Sequence, residues 1–258
     1  MRPQTKENGE AMNATFSQDS EFAVETKDLW RIYPLKGTQK GGIKALQGIN
    51  LHVPTGKFVA LTGRSGCGKT TLLNCLAGLD RPTSGSIRVL GHDLNDMSDQ
   101  ELTIWRRENI GLIFQSFGLL PTLSAYENVE LLLRIKGEGY RIRHKRALEC
   151  LDLVGLSTWR NHRPYEMSGG QQQRVAIARA LANHAQLILA DEPTGELDSK
   201  TTQELLSFFR DLVDQEKITL LMVSHDPLVD QHAHQVLRLK DGNLAEAVQH
   251  DTPITAAP

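Results

Sequence analysis

The sequence predicts an α/β fold with a mainly parallel core sheet and helices, together with an antiparallel β subdomain and a helical subdomain. Two short apolar runs, residues 58–62 and 187–190, each end at a polar loop, as buried parallel strands do. The first run leads through a glycine-rich loop into a helix-compatible segment, residues 70–77, which gives the order strand, loop, helix. With 258 residues and 40% apolar content, the chain suits one domain with lobes.

The N-terminal elements follow from local composition. Residues 1–20 are polar, lack the apolar core of a signal peptide and are expected to form a flexible leader. Segments rich in β-forming residues at 22–53 and 86–90, separated by Gly and Pro, predict the antiparallel sheet. Residues 98–166 are mainly helical in pattern, with interruptions at positions 121, 137–139 and 164, and form the predicted helical lobe.

The C-terminal elements complete the same domain. Residues 219–223 are strand-like, and residues 240–243 read Lys-Asp-Gly-Asn, a hairpin turn. The domain is therefore expected to span residues 21–248, and residues 249–258 are expected to form a disordered tail.

Composition restricts the classes of partner and compartment. The formal net charge is −2 and no basic stripe is present, so nucleic-acid binding is not predicted. Cys67, Cys75 and Cys150 have no metal-like spacing, which favours a reducing cytoplasm. The pair His232 and His234 lacks a third ligand nearby, so a solvated loop is favoured over a metal site. No stretch approaches the roughly 20 apolar residues that cross a bilayer, so a membrane pore would have to come from another chain.

A phosphate-binding loop is predicted after the first buried strand. Residues 63–70 follow the pattern G-x-x-x-x-G-K-T, in which backbone N–H groups surround a polyphosphate. In this pattern Lys69 reaches the β and γ oxygens and Thr70 reaches magnesium. The residues expected to contact the nucleotide here are Gly63, Arg64, Ser65, Gly66, Cys67, Gly68, Lys69, Thr70 and Thr71.

A second anion-binding segment follows about a hundred residues later. Residues 167–171 read Met-Ser-Gly-Gly-Gln and open a helix, so that unpaired N–H groups and the positive end of the helix dipole can face an anion. One nucleotide does not need two such segments from one chain. We therefore expect ATP to be bound by the first segment of one copy and enclosed by Ser168, Gly169, Gly170 and Gln171 of a second copy.

Two carboxylates end the second buried strand. Asp191 at the end of a parallel strand is expected to lie beside the phosphate loop of a neighbouring strand and to orient magnesium. Glu192 comes one position later and is expected to face the attacking water, as the base that polarises it.

These motifs, in this order and spacing, resemble the nucleotide-binding subunit of an ATP-binding cassette (ABC) transporter from about residue 22 to residue 248. The resemblance implies a P-loop NTPase fold of ABC type, ATP and Mg²⁺ as ligands, and an ATPase that works as a dimer. It also implies an integral membrane permease as partner, at the cytoplasmic face of the inner membrane.

The resemblance assigns further residues one by one. Gln115 matches the glutamine that contacts magnesium and the attacking water, and His225 matches the histidine that contacts the γ-phosphate. Asp198, in Glu-Leu-Asp, matches a loop that crosses the dimer interface, and Tyr33 matches an aromatic ring that stacks on adenine. Two departures stand near the ligand: Met167 replaces a leucine, and Cys67 places a thiol in the phosphate loop, where we expect it to be exposed and open to alkylation. A third departure, Ala185, replaces a proline before the second acidic strand.

Several motifs are similar to the bacterial group that contains lipoprotein-releasing and macrolide-exporting ATPases. These motifs include residues 118–121, 127–130, 169–174 and 193–198. The alternatives are an amino-acid-importer or antimicrobial-peptide-resistance ATPase, a division-type ATPase that transmits force without cargo, and a soluble ABC ATPase acting on DNA or ribosomes. The apolar segment 117–123 either forms a patch for the membrane partner or packs inside the helical lobe.

Overall fold

The computed structural model describes residues 21–35 and 42–249. The expected leader at residues 1–20, most of the glycine-rich insertion at 37–42 and residues 250–258 of the expected tail lie outside this part of the chain. In the described residues, the α/β fold with a mainly parallel core sheet and an added antiparallel sheet is confirmed.

The core sheet has six strands, of which five are mutually parallel. In spatial order its strands are β10 (Asn243–Gln249), β9 (Gln235–Lys240), β3 (Phe58–Thr62), β8 (Thr219–Ser224), β7 (Leu187–Asp191) and β6 (Ile110–Ile113). Only the β10–β9 pair is antiparallel, and it is joined by the predicted hairpin turn at 240–243. The parallel arrangement brings the carboxyl ends of β3, β8, β7 and β6 to one edge, where loops carry ligand-binding residues in such sheets.

The second sheet is antiparallel and lies in the region predicted for it. Its order is β2 (Gly42–Pro54), β1 (Phe22–Pro34), β4 (Ser84–Val89) and β5 (His92–Asp93). Irregularities in the β1–β2 register follow Thr26 and Leu29, and they bend the long strand pair.

Seven α-helices connect or cover the sheets in the described part of the chain. They are α1 (Lys69–Leu76), α2 (Asp99–Asn109), α3 (Ala125–Lys136), α4 (Tyr140–Leu153), α5 (Gly169–Ala182), α6 (Ser199–Glu216) and α7 (Val229–His232). Three of them begin at serine capping boxes. In each box the serine hydroxyl accepts from the N–H of the third helical residue, and the side chain of that residue accepts from the serine N–H. The pairs are Ser98 with Glu101, Ser124 with Glu127 and Ser168 with Gln171. None of these helices is long and apolar enough to cross a membrane.

The region predicted as the helical lobe contains a strand of the core sheet. Within residues 98–166, β6 pairs in parallel with β7, and the helical lobe is formed by α3 and α4 packed against α5. The strand escaped the sequence analysis because it has four residues and follows α2 directly, without a turn signal.

The core sheet separates two hydrophobic cores. Alternate residues of β3 point to opposite faces, so Phe58 and Ala60 pack with the helices α3, α5 and α6, while Val59 and Leu61 pack with α1 and the antiparallel sheet. Strands β7 and β8 alternate in the same way. Burial on both faces fixes the register of the central strands and holds the loops at their carboxyl ends in place.

Candidate active site

The phosphate loop connects β3 to α1. At two of its glycines there is no space for a side chain. A Cβ at Gly63 would lie 2.3 Å from the carbonyl oxygen of Leu239, and one at Gly68 would lie 2.4 Å from that of Ala45. Gly68 also has a φ of 108°, which favours glycine. The loop backbone is therefore packed against β9 and β2, and the sequence G-x-x-x-x-G-K-T is explained by close backbone approach.

Lys69 is buried within the loop that precedes it. Its ammonium Nζ donates to the carbonyl oxygens of Gly63 at 2.8 Å and Arg64 at 3.2 Å. Its side chain is only 5% exposed, and Nζ lies 3.9 Å from Oε1 of Glu192. The cation thus stands between the loop and the end of β7, which is the position from which a lysine can neutralise phosphate charge.

Asp191 and Thr70 come together at the end of β7, as the sequence predicts. The Thr70 hydroxyl donates to Oδ1 of Asp191 at 3.3 Å. Burial raises the pKa of the Asp191 carboxyl, the Thr70 hydrogen bond opposes this effect, and the charge of Glu192 adds to it. A bound cation would counteract the pKa increase, so the electrostatics of this carboxylate favour a metal ion beside it.

Glu192 is held in a backbone conformation that is uncommon for its residue type. Its φ is 46°, and its N–H donates to the carbonyl of Val223 on the neighbouring strand at 2.9 Å. The carboxylate Oε2 lies 2.7 Å from Nδ1 of His225, which follows β8. The structure therefore brings Lys69, Glu192 and His225 into one cluster.

Gln115 lies beside the same turn from the other side. It follows β6 and is exposed, and a Cβ at Gly195 would meet its Nε2 at 3.2 Å. Gly195 closes the turn after Glu192, because its N–H donates to the Glu192 carbonyl at 3.1 Å. The amide is thus placed next to the loop that carries the two carboxylates.

Of these groups, Lys69, Thr70 and Glu192 border a cavity of about 530 Å³, whereas Gln115, Asp191 and His225 are not part of its lining. Its lining includes Tyr33, Lys44, Glu192, Asp241 and the loop residues 65–71. Of the predicted nucleotide contacts in the first segment, Gly63 and Arg64 lie outside this lining and border a neighbouring cavity instead. Two larger cavities in the described part of the chain are lined by neither Lys69 nor Glu192, so cavity size alone would have pointed away from the phosphate loop.

Tyr33 lines this cavity and has polar partners that the sequence analysis did not identify. Its hydroxyl donates to Oδ2 of Asp80 at 2.6 Å, and the guanidinium carbon of Arg31 lies 4.3 Å from its ring centroid. Arg31 also forms a salt bridge with Asp80, 2.6 Å between NH2 and Oδ1. The ring is therefore fixed on one side of the cavity. Adenine stacking by Tyr33 stays a prediction.

The expectation of an exposed Cys67 thiol is wrong. The residue is only 7% exposed, and its Sγ lies 2.8 Å from the position that a Cβ of Gly63 would occupy. The loop folds over this side chain, so that Cys67 belongs to the apolar cluster under α1 while still bordering the cavity.

The second anion-binding segment lies elsewhere on the chain. Ser168 caps α5 by accepting from Gln171 N at 3.3 Å, and a Cβ at Gly170 would lie 2.8 Å from Cγ2 of Thr201. Gly169 faces Leu197 in the predicted interface loop. Among the described residues, none of 168–171 lines the cavity of the phosphate loop.

Asp198 caps the helix that follows the interface loop. Its carboxylate accepts from the N–H groups of Lys200 and Thr201 and from the Thr201 hydroxyl, the last at 2.6 Å. The Thr201 hydrogen bonds lower the pKa of Asp198. The side chain therefore fixes the start of α6, beside the segment that opens α5.

One other expectation, which concerns His234, is changed by the structure. His234 does not lie in a solvated loop, because its side chain is 13% exposed and its ring bonds both Phe58 N and Asp214. No group of three potential metal ligands of the type His, Cys, Asp or Glu occurs among the described residues. In segment 117–123, Leu119 packs against the core while Leu120 is 46% exposed, and a patch for the membrane partner stays a prediction.

The donor set at the cavity fits magnesium bound with a nucleotide. Mg²⁺ takes oxygen ligands, and proteins usually supply one or two of them while phosphates and water supply the rest. Thr70 Oγ1 and Asp191 Oδ1 are such oxygens, 3.3 Å apart beside the phosphate loop. The amide of Gln115 is the third predicted ligand, at the adjacent turn.

Comparison with known proteins agrees with this site. Residues 46–195 match the family model described as ABC transporter. The chain belongs to this family. It is 45% identical over 225 residues to an uncharacterised ABC transporter ATP-binding protein of Methanocaldococcus jannaschii, covering 87% of this chain and 99% of the relative. As a family member, it is an ATPase that binds ATP.

Two relatives with assigned functions and one solved structure extend the comparison. A macrolide export ATP-binding/permease protein of Syntrophobacter fumaroxidans is 45% identical over 221 residues, which are 85% of this chain and 30% of that protein. A pyoverdine export ATP-binding/permease protein of Pseudomonas entomophila is 41% identical, over 91% of this chain and 36% of that protein. A dimeric ATP-binding cassette in a post-hydrolysis state with ADP and Pi superimposes with a TM-score of 0.80 at 42% identity, covering 88% of this chain and 98% of that chain.

Proposed function

We propose that this ABC ATPase is the motor subunit of a bacterial export-type transporter, in which two copies enclose two ATP molecules head to tail and drive an integral membrane partner. The single observation that carries the proposal is the separation of the two phosphate-binding segments on one chain. The first borders the cavity with Glu192, and the second, at the start of α5, borders the loop before α6.

The separation calls for a second copy. The start of α5 offers backbone N–H groups and a helix dipole, which favour an anion. None of residues 168–171 of the same chain lines the cavity at Lys69. Two copies in opposite orientation supply each nucleotide with Lys69 and Thr70 from one chain and with Ser168, Gly169 and Gly170 from the other. The dimeric state of the similar cassette bound to ADP and Pi supports this arrangement.

The chemistry assigned to this chain is positioning and electrostatics. Lys69 neutralises the transferring phosphoryl group, Glu192 accepts a proton from the attacking water, and His225 orients the γ-phosphate. The Glu192 carboxylate is already directed by His225 at 2.7 Å. Thr70, Asp191 and Gln115 would hold Mg²⁺, which supplies charge neutralisation at the phosphates when bound.

Export is favoured over import by the relatives. The macrolide and pyoverdine export proteins carry their permease in the same chain, and this chain matches only about a third of their length. We therefore infer an integral membrane permease as partner and a position at the cytoplasmic face of the inner membrane. Phe114 and Leu120, which are 40% and 46% exposed, offer apolar contacts beside Gln115 for that partner.

The variant Glu192→Gln tests the motor and the partner together. It keeps the size of the side chain and removes the base, so we expect it to bind ATP, accumulate as a dimer in light scattering and hydrolyse ATP at no more than about a hundredth of the wild-type rate. Glu204→Gln, at an exposed position of α6, is the matched control and should behave like wild type. Normal turnover by Glu192→Gln would remove Glu192 from the mechanism.

Co-purification then separates transport from the alternatives. Tagged Glu192→Gln with ATP and Mg²⁺ is added to gently solubilised native membranes, and bound proteins are identified by mass spectrometry. Recovery of a permease-like membrane protein supports the transporter. Recovery of a membrane protein tied to a cell-wall regulator supports the division-type alternative, and recovery of ribosomes or DNA alone contradicts the membrane assignment.

A further inference from the structure

Gln115 lies in a tight turn whose exit is unusual. The turn is closed by the N–H of Phe117, which donates to the carbonyl of Phe114 at 3.1 Å. Phe117 and Gly118 both have positive φ, 57° and 59°. A phenylalanine in this conformation is uncommon, so surrounding contacts must hold the turn.

Two of those contacts come from a single arginine on α5, Arg179. NH1 of Arg179 donates to the carbonyl of Gly118 at 2.5 Å, and NH2 donates to that of Phe117 at 2.9 Å. The planar guanidinium thus bridges the two residues with positive φ, a geometry that its fixed fork suits and a lysine cannot reproduce.

The charge of Arg179 has no carboxylate partner in the described part of the chain. Burial lowers the pKa of its guanidinium, and no acidic group offsets this effect. A half-buried cation without a counter-ion is costly, and no ion pair compensates here. Its hydrogen-bond acceptors are the two backbone carbonyls of Phe117 and Gly118.

The same turn also touches the start of α5. A Cβ at Gly169 would lie 3.7 Å from Cζ of Phe117, and a Cβ at Gly118 would lie 3.5 Å from NH2 of Arg179. The turn that carries Gln115 is therefore fixed at two points of one helix, near its first residue and near its last turn.

We infer that Arg179 is a positioning residue for ATP hydrolysis: it holds the 114–118 turn on α5 and thereby keeps the Gln115 amide beside the Glu192–Gly195 turn. This inference rests on the proposed function, because Gln115 acts on the nucleotide bound by its own chain while the start of α5 acts on that of the second copy. In the dimer, Arg179 therefore links Gln115 at one nucleotide site to α5, whose start contacts the nucleotide at the other site.

The test compares three variants of the full chain. Arg179→Met keeps an unbranched apolar side chain and removes the guanidinium with its unpaired charge, and Arg179→Lys keeps the charge without the fork. Arg146→Met is the matched control, since Arg146 on α4 also donates to two backbone carbonyls of the α5 end, Leu181 at 2.7 Å and Ala182 at 3.3 Å, away from Gln115. ATPase kinetics and melting temperature are measured for each.

Misplacement of Gln115 should lower kcat and spare ground-state binding. We expect both Arg179 variants to lose roughly tenfold in kcat, with KM for ATP close to wild type and a melting temperature lowered no more than in Arg146→Met. Arg146→Met should lower the melting temperature and leave kcat unchanged. Wild-type kcat in both Arg179 variants would overturn the inference, and absence of ATPase activity or ATP-dependent dimers in the wild type would instead overturn the proposed function.

A double-mutant comparison distinguishes positioning from general structural support. If Arg179 acts through Gln115, Arg179→Met in a Gln115→Ala background should reduce kcat no further than Gln115→Ala alone. Multiplicative losses would contradict the inference. Should Arg179→Met not fold, Gly118→Ala strains the same turn from the other side, since its Cβ would lie 3.2 Å from Phe114, and the same non-additivity with Gln115→Ala is expected.

Discussion

Nδ1 of His225 lies 2.7 Å from Oε2 of Glu192, and this contact joins the ends of two neighbouring parallel strands. Strand β7 pairs with β8 up to Asp191 and Val223, and the Glu192 N–H extends this ladder by one bond to the Val223 carbonyl. The backbone then turns at Glu192 with positive φ. The orientation of the carboxylate is therefore set by the sheet and by His225 together.

His225→Ala should reduce hydrolysis without reducing stability. The side chain is 62% exposed, so its loss leaves no buried cavity, but the Glu192 carboxylate loses its 2.7 Å partner. We expect kcat to fall on the order of 10²-fold, with the melting temperature unchanged. Steady-state ATPase assays and thermal denaturation check both values. A variant with unchanged kcat would show that His225 does not orient the reacting groups.

Asp80 is predicted to support nucleotide binding through Tyr33 and Arg31. Both side chains bond its carboxylate, so Asp80→Ala releases the ring that lines the cavity. If the ring stacks on adenine, Asp80→Ala should raise KM for ATP several-fold with kcat little changed, because adenine binding contributes equally to ground and transition states.

Two tyrosine variants make this prediction specific. Tyr33→Phe keeps the ring and loses only the 2.6 Å hydrogen bond to Asp80, whereas Tyr33→Ala loses the ring. The increase in KM for ATP should therefore be smaller in Tyr33→Phe than in Tyr33→Ala. Equal KM values in wild type and Tyr33→Ala would contradict adenine stacking by this residue.

The comparison of sequence and structure shows which features local pattern can reveal. Strands β3, β7 and β8 were predictable because their apolar runs end at motifs, and the positions of Lys69 and Asp191 follow from those strands. The partners of Tyr33 could not be predicted, since Asp80 lies 47 residues further along the chain. Arg179 was missed for the same reason: its two bonds span 61 and 62 residues, and its own segment reads as an ordinary amphipathic helix.

The cysteines should be poorly reactive in the folded protein. Burial raises the pKa of Cys75 to about 12 and that of Cys150 to about 11, so neither forms appreciable thiolate at pH 8. Cys67 is 7% exposed and borders the nucleotide cavity. We expect slow alkylation by iodoacetamide at Cys67 alone, slowed further by ATP.

Mass spectrometry of the alkylated protein gives the site and the rate. A urea-unfolded sample, in which all three thiols react, provides the control for reagent and detection. Rapid labelling of native Cys67, at the rate of the unfolded chain, would show that the phosphate loop opens in solution. Unchanged labelling with ATP would place the nucleotide away from this cavity.

Stability is predicted to decrease on acidification because of His234. The ring accepts a hydrogen bond from Phe58 N at Nδ1, 3.0 Å, and its Nε2 lies 3.1 Å from Oδ1 of Asp214, so the bonded ring is the neutral tautomer with its proton on Nε2. Burial, followed by the charge of Arg210, lowers the pKa of His234, while Asp214 opposes this effect. Lys57 also faces the ring and lowers the pKa further.

The sign follows from proton binding. A histidine whose pKa is lower in the folded state binds more protons when unfolded, so the free energy of unfolding is greatest above the unfolded pKa of about 6.5 and falls as the pH drops below it. His184 and His232, whose pKa values are also lowered by burial, add to the same trend. Burial raises the pKa of Asp214, but the hydrogen bond and charge of Arg210 outweigh burial and lower this pKa. Titration of Asp214 therefore affects stability only below about pH 4.

His234→Asn isolates the contribution of this ring. The amide oxygen can accept from Phe58 N but does not titrate, so the variant should be less stable than wild type at pH 8 and should lose less stability between pH 7 and pH 5. Urea denaturation at several pH values measures both quantities. Part of the dependence of unfolding free energy on pH should remain in the variant, because the pKa values of His184 and His232 are also lowered. Parallel curves for wild type and His234→Asn would show that protonation of His234 is not coupled to unfolding, because a group with equal pKa in both states contributes no slope.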